Sequence, residues 1–347
     1  MADFSIIMAF FDGGNSFRRR NLSSVLDRCV AMFPDNEIVV AEQGDSHVSE
    51  TIQGHGNNVR RLRVDAGKVF HKTRLLNEAV KASTSANIVM VDADSYLSED
   101  AARSVVAGVD DIVSGKYGIL YPYGSVDYLT EAQTRVLLSG DTINSRFCDH
   151  GVIMSRQTGL CNMFTKATWE KVSGFDEFFK SWGAEDDAFM FKIRRIVGSV
   201  GRTEGNIYHL FHPHVDTNSY RKGYTYMMNR KACALVRRMS DSDMNDYVSR
   251  KVSMDSLMEK YEKMHRLDCE LHWQCTPGNS LNIDTTIYDF GTDPKMTFTR
   301  LFNVMLAEDG PEYTLEFISE TREQLRDLSD EQNAELDAIV ERIKGMP

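Results

Sequence analysis

Asn87-Ile-Val-Met-Val-Asp92-Ala-Asp94 reads as a buried strand that ends abruptly on two carboxylates. Four apolar residues in a row, too few for a helix and free of turn formers, fit a strand covered on both faces. Immediately upstream, Leu75, Leu76, Ala79 and Val80 recur at helical spacing within Thr73 to Ala82. Working back to the start, Phe4-Ser-Ile-Ile-Met-Ala-Phe-Phe11 is an apolar run of strand length, followed by a Gly-Gly-Asn turn and a helical segment from Ser16 to Met32. Glu37-Ile-Val-Val-Ala41 and Val59-Arg-Arg-Leu-Arg-Val64 are two further strands. Strands alternating with helices imply crossover connections and a mainly parallel sheet, with ligands bound beyond the carboxyl ends of the strands. Chemistry is therefore expected just after Phe11, Ala41 and Val91.

Outward in the other direction, Glu99 to Gly115 reads as a helix, Tyr117 to Tyr121 as a strand, and the polar stretch through Arg156 as a long loop of the substrate-binding kind. Beyond about residue 238 the pattern changes to charged, Met-rich amphipathic segments, Met239 to Met264, Met296 to Ala307 and Tyr313 to Ile343, whose last part reads as a solvated helix face. The expected division is a catalytic α/β domain over residues 1–235 and a mostly helical accessory region over 236–347.

A chain of 347 residues with 42% hydrophobic content fills real cores. A formal net charge of −11 gives no strong nucleic-acid signal, because affinity for a phosphate backbone comes from clustered Lys and Arg. No segment approaches the roughly 20 apolar residues needed to cross a bilayer, and Met1 to Phe11 lacks a basic leader and a cleavage site. The six cysteines form no CxxC pair, which argues against a zinc site or a disulfide framework. Together these read as a reduced, cytoplasmic protein, with amphipathic C-terminal segments that admit self-association.

Three clusters carry chemistry. Asp92 and Asp94 sit two apart in an extended chain, so both carboxylates can face one site at the sheet edge. Hard oxygen ligands of this kind suit Mg²⁺ or Mn²⁺ on a diphosphate, although a polar strand end is the bland alternative. Trp182-Gly-Ala-Glu-Asp-Asp187 leads into a helix with Phe189, Ile193, Ile196 and Val197 on one face. Its three carboxylates, Glu185, Asp186 and Asp187, stand where the helix dipole favours the ionised form and where one of them can act as a general base. Simple capping is the alternative use, and Trp182 is either a platform for a sugar ring or a core residue. Tyr208-His-Leu-Phe-His-Pro-His214 places imidazoles at 209, 212 and 214, good ligands for Mn²⁺-class ions beside carboxylates.

In this order the pieces resemble the GT-A glycosyltransferases, in particular the branch with galactosyltransferases, chondroitin-polymerase-like enzymes and polypeptide GalNAc-transferases. The resemblance covers residues 4 to 230 and rests on four matches: Phe70-His-Lys-Thr-Arg-Leu-Leu-Asn77, Val91-Asp-Ala-Asp94, Val172-Ser-Gly-Phe-Asp-Glu177 with Trp182 to Asp187, and His209-Leu-Phe-His-Pro213. It implies a GT-A fold and a metal-dependent transfer from a nucleotide-sugar, a UDP-sugar by analogy, to an acceptor hydroxyl with inversion. Asp94 would be a direct metal ligand and Asp92 a ribose or metal contact, with His209 or His212 as the second ligand to Mn²⁺ or Mg²⁺. Asp186 would be the base, with Glu185, Trp182 and Asp187 toward the acceptor. Phe10, Phe11, Glu42, Gln43, Lys72 and Asn77 would line the donor site. Ala9, Phe11 and Asp12 stand where the family's first-strand loop usually carries Pro and Arg. The acceptor would be a glycan first and a modified nucleic-acid base second. A nucleotidyltransferase or sugar-nucleotide pyrophosphorylase is a rival, but its Gly-rich phosphate loop is poorly matched by Phe11-Asp-Gly-Gly-Asn15; a non-catalytic sugar-binding module is another.

Overall fold

A computed structural model describes residues 3–11, 13–44, 58–141, 157–181, 183–213, 224–263, 280–283, 286–289, 315, 318–319 and 330–345. The chain divides into two compact units, Met1–Leu267 and Asp268–Pro347. The residue 235/236 boundary expected from composition falls inside the helix Tyr224–Arg238, all of which belongs to the first unit.

In the first unit the strands β1 (Ser5–Phe10), β2 (Glu37–Gln43), β3 (Val59–Val64) and β4 (Asn87–Val91) pair in parallel in the order β3-β2-β1-β4. The crossover helices α1 (Ser16–Met32) and α2 (Lys72–Ala82) connect them. The apolar faces of α1 (Leu22, Val25, Leu26, Cys29) and α2 (Leu75, Leu76, Ala79, Val80) are buried in the same core as strands β1, β2 and β4. Asn15 caps α1 by accepting from the Phe17 N–H at 2.9 Å, so the Gly13-Gly14 turn and the helix start follow directly from sequence.

Beyond β4 the sheet becomes mixed. β8 (Cys161–Thr165) runs antiparallel to β4, β6 (Ile119–Tyr121) is antiparallel to β8, and β9 (Val200–Arg202) is parallel to β6, completing a seven-stranded sheet. This is the expected α/β class with a mainly parallel sheet flanked by helices. Helix α3 (Glu99–Val113) begins at Ser98, whose hydroxyl accepts from the Ala101 N–H.

The stretch read as a loop through Arg156 carries regular structure in its first part. It contains β7 (Ser125–Tyr128) and α4 (Glu131–Leu138), while 142–156 lies outside the described residues. A capping box starts α4: Thr130 accepts from the Gln133 N–H and the Gln133 side chain accepts from the Thr130 N–H. The Thr-x-x-Gln signature was available in the sequence. β7, with only Val126 and Asp127 buried, is too short to show alternation.

A second, three-stranded sheet in the order β5-β10-β7 joins β5 (Ser95–Leu97) antiparallel and β7 parallel to β10 (Asn206–His209). Helix α5 (Lys166–Lys171) follows β8, and α6 (Glu185–Ile196) follows the acidic motif. α7 (Tyr224–Arg238), α8 (Asp241–Val248) and α9 (Met254–Lys263) continue the first unit around a second, Met-rich cluster of Met239, Met244, Met254, Leu257 and Met258, to which α6 contributes Ala188 and Phe191. In the second unit the described residues form a hairpin, β11 (Ser280–Ile283) with β12 (Thr286–Asp289), and α10 (Asp330–Lys344). The hairpin adds strand to a region read as helical; Met296 to Ala307 lies outside the described residues.

Candidate active site

Three segments meet beyond the carboxyl ends of β1, β2 and β4. The first is the end of β4, where the Asp92 N–H donates to the Leu160 carbonyl at 2.8 Å and the Asp92 carbonyl accepts from the Ser95 N–H at 2.9 Å. The chain thereby turns directly into β5, and Asp94 is pinned as its carbonyl accepts from the Leu210 N–H at 2.8 Å. That last bond brings the histidine segment to the second aspartate.

Asp94, His209 and His212 offer ligand atoms that all lie within 4.8 Å of one another. His212 Nε2 is 3.2 Å from Asp94 Oδ2 and His209 Nε2 is 3.7 Å from the same oxygen. Burial alone would raise the Asp94 pKa, but His209 and His212 overcome it and hold the carboxyl far below its ordinary range. The hydrogen bond to Asp94 raises the pKa of His212, whereas burial lowers that of His209. One carboxylate and two imidazoles fit a Mn²⁺-class ion in donor type and spacing. His214 lies outside the described residues.

The second segment is the start of α2. Lys72 is buried, and its ammonium sits 3.0 Å from Asp92 Oδ1, 2.9 Å from Asp186 Oδ2 and 3.3 Å from Glu185 Oε1. Burial would lower its pKa; Asp186, Asp92 and Glu185 outweigh that and raise it well above the usual lysine value, so the residue is a fixed cation. Asp186 is shifted upward by burial first, against the pull of Lys72, with Glu185 and Asp92 adding to the rise. Its Oδ2 is engaged by Lys72, while Oδ1 is buried without a hydrogen-bond partner among the described residues. A buried carboxylate oxygen left unsatisfied costs free energy that an incoming donor recovers.

The acidic loop carries strain. Ser181 (φ 62°), Gly183 (φ 120°) and Ala184 (φ 65°) all adopt left-handed backbone ahead of α6, a conformation that costs about 1 kcal/mol or more at each non-glycine position. It is held by the Ser181 N–H donating to the Phe70 carbonyl at 2.7 Å and by Asn229 Nδ2 donating to the Lys180 carbonyl at 2.8 Å. Trp182 lies outside the described residues.

The third segment, Gln157 to Leu160, was not singled out in the sequence. Leu160 is left-handed (φ 69°), and its N–H donates to Asp92 Oδ2 at 3.2 Å. Thr158 Oγ1 donates to Asp187 Oδ1. Gly159 packs so closely that a Cβ there would lie 2.8 Å from Asp186 Oδ2 and 3.8 Å from Asp92 Oδ2. One short stretch thus touches both carboxylate motifs, and the signal available was only the isolated glycine ahead of a strand.

The remaining sequence-derived donor residues are placed differently from one another. Phe11 is partly exposed and stacks on Phe70 with ring centroids 5.8 Å apart and planes 12° apart, whereas Phe10 is part of the core. Glu42 is fully buried and paired with Arg61. Gln43 is fully buried and clamps the loop before α2: its amide donates to the Gly67 and Val69 carbonyls and its oxygen accepts from the His71 N–H. Asn77 is equally occupied, accepting from Trp169 Nε1 and the Phe175 N–H and donating to the Phe175 carbonyl and Glu177 Oε1. Glu42, Gln43 and Asn77 are therefore occupied within the fold, whereas Lys72, Asp92, Glu185 and Asp186 form one charged cluster and Asp94, His209 and His212 another, with Phe11 against Phe70. The alternation of strand side chains was visible in sequence, but which face of β2 meets the cleft was not.

The family model described as the N-terminal domain of galactosyltransferase matches residues 146–214, which include Gly159, Glu185 to Asp187 and both His209 and His212. Over these residues the chain is similar to galactosyltransferases. The resemblance read from the sequence is met here. No curated protein matches the chain. Among solved structures it is similar to TarS residues 1–349 from S. aureus in complex with UDP-GlcNAc, at 13% identity over 76% of this chain and 72% of that one, with a TM-score of 0.48. It is also similar to GalNAc-T7 with UDP, GalNAc and Mn²⁺, at 14% identity over 78% of this chain and 57% of that one, TM-score 0.47. A third is the mannosyltransferase PcManGT from Pyrobaculum calidifontis in complex with GDP-Man and Mn²⁺, at 13% identity, 76% and 70% coverage and TM-score 0.41. Among the described residues no helix is long and apolar enough to cross a membrane.

Proposed function

We propose that this chain is a metal-dependent glycosyltransferase that moves a sugar from a nucleotide-sugar, a UDP-sugar first, to an acceptor hydroxyl with inversion, the acceptor being a glycan. One observation carries the reading: a carboxylate-and-imidazole triad and a lysine-tethered carboxylate with one unsatisfied oxygen lie at opposite ends of Asp92-Ala93-Asp94, beyond the sheet edge.

Asp94, His209 and His212 would hold Mn²⁺ or Mg²⁺, with Asp92 facing the donor from the same turn. When bound, such an ion supplies neutralisation of the charge on a leaving diphosphate. Lys72 keeps Asp186 Oδ2 turned toward the donor side, which leaves Oδ1 to accept the proton of the acceptor hydroxyl. The acceptor oxygen forms a bond to the anomeric carbon as the bond from that carbon to the diphosphate oxygen breaks, and the electron pair leaves with the nucleoside diphosphate. The upward shift of Asp186 makes its carboxylate a stronger proton acceptor than a solvated one. Glu185 and Asp187 flank the base in the chain and would help shape the acceptor side; Trp182 would be a platform for the acceptor sugar.

A panel of UDP- and GDP-sugars incubated with Mn²⁺ tests this by release of nucleoside diphosphate. Release by the wild type, and its loss by about 100-fold or more in a folded Asp186→Asn variant, is expected. Activity only with added pyrophosphate would indicate a nucleotidyltransferase, and binding without release would indicate a sugar-binding module; either overturns the proposal.

A further inference from the structure

Tyr128 belongs to none of the motifs above, yet it lies against the metal-facing histidine. β7 and β10 pair in parallel with His209 opposite Tyr128, and the Leu129 N–H donates to the His209 carbonyl at 3.0 Å, so the register is fixed at this pair. The two rings stack with centroids 4.7 Å apart and planes 27° apart. His212 is steadied differently: Nδ1 faces the Pro213 carbonyl at 3.4 Å, and Nε2 faces Asp94. At its other end Tyr128 donates its hydroxyl to Gln157 Oε1 at 2.6 Å. Gln157 opens the segment that reaches Asp187 through Thr158, Asp186 through Gly159 and Asp92 through Leu160. Its carbonyl is itself gripped by Arg202 Nη2 at 2.7 Å, and the Arg202 guanidinium lies over the rings of Tyr121 and Tyr123.

We infer that Tyr128 is a positioning residue that fixes the plane of the His209 ring by stacking and, through Gln157, ties the histidine side of the site to the segment lying over Asp92 and Asp186. The inference rests on the metal reading proposed above. A metal-binding imidazole needs a fixed ring orientation, and where that is set by outer groups their loss weakens affinity substantially. Here the ring face of a cross-strand neighbour supplies the constraint. An aromatic ring at position 128 is the requirement for the histidine, and the hydroxyl is the requirement for the link to Gln157.

The test measures Mn²⁺ affinity directly, by electron paramagnetic resonance of unbound Mn²⁺ titrated with full-length protein without nucleotide. Tyr128→Leu is expected to weaken binding by ~10-fold, and Tyr128→Phe to stay within about two-fold of wild type because the stack survives. If Tyr128→Leu does not fold, Tyr128→Met fills the space without a ring and is read in its place. In Tyr128→Phe the Gln157 link shows as faster amide hydrogen exchange at Leu160 than in wild type. A folded Leu or Met variant with wild-type Mn²⁺ affinity, a Phe variant as weak as Leu, or unchanged exchange at Leu160 would each overturn the assignment while leaving the metal reading intact. A wild-type chain that binds no Mn²⁺ would remove the metal reading and this inference with it.

Discussion

Lys72 Nζ and Asp186 Oδ2 lie 2.9 Å apart although they are separated by 114 positions in the chain, one at the start of α2 and the other in the first turn of α6. The same ammonium reaches Asp92 and Glu185, so three carboxylates that would repel one another share one counter-ion. Their closeness depends on that cation.

Replacing Lys72 by Met leaves those carboxylates uncompensated in a site where the lysine side chain is only 11% exposed and Asp186 only 13%. A loss of about 3 kcal/mol is expected, the scale for removing one member of a buried ion cluster. Urea unfolding reads it; a variant as stable as wild type would show that water already satisfies the cluster.

Gly159→Ala separates geometry from stability. The added Cβ would sit 2.8 Å from Asp186 Oδ2, and the neighbour that must give way is the carboxylate itself. Turnover of the best nucleotide-sugar should drop by about 100-fold, the cost of misplacing a reacting group by roughly an ångström. The melting temperature should fall less than in Lys72→Met, because the ion cluster keeps all its members. A fully active Ala variant would place the reacting group elsewhere.

Metal affinity should depend on pH through His212. Its pKa is raised above 6.5 by the hydrogen bond to Asp94, and a protonated imidazole cannot ligate. Mn²⁺ binding is therefore expected to strengthen as pH rises through the raised value and then level off. In metal-free protein the sign reverses: the His212–Asp94 pair contributes its full stability below pH 6.5 and loses it as pH climbs through the folded pKa. Calorimetric titration and thermal melts over pH 5.5 to 8.5, each compared with His212→Ala, check both slopes.

Lys192 gives a slope of opposite sense. Burial pushes its pKa down from 10.5 to about 8, against the opposing charge of Asp176, while its ammonium donates to the Val172 and Gly174 carbonyls at 3.1 and 2.6 Å. Between pH 8 and 10.5 the unfolded chain retains this proton and the folded one does not, so stability from this residue rises with pH. The stability difference between wild type and Lys192→Met should shift in favour of wild type across that window. A flat difference in urea unfolding would show that the amine stays charged.

Much of this site was legible because apolar runs announced β1, β2 and β4, and chemistry was expected where each run stops. Asp92 and Asp94 needed no more than that. Gln43 and Asn77 show the limit: the family resemblance implied them as donor contacts, but their amides are occupied by the Gly67 to His71 loop and the Val172 to Glu177 turn. Those partners lie up to 100 positions away, and no local pattern reports them. Tyr128 and Gly159 were missed for a related reason. A single tyrosine in a four-residue strand and a lone glycine become meaningful only when pairing sets them against His209 and Asp186.

β10 lies between β5 and β7, so neither of those strands has its partner until residues 206–209 exist. On a ribosome, β9 leaves the exit tunnel before residues 206–212 do, so all seven strands of the large sheet are outside while both imidazoles are still enclosed. The Asp94–His209–His212 corner is thus the last part of the candidate site to be completed. A fragment ending at Arg202 carries all seven strands of the large sheet yet has no means of capturing a divalent ion with this triad.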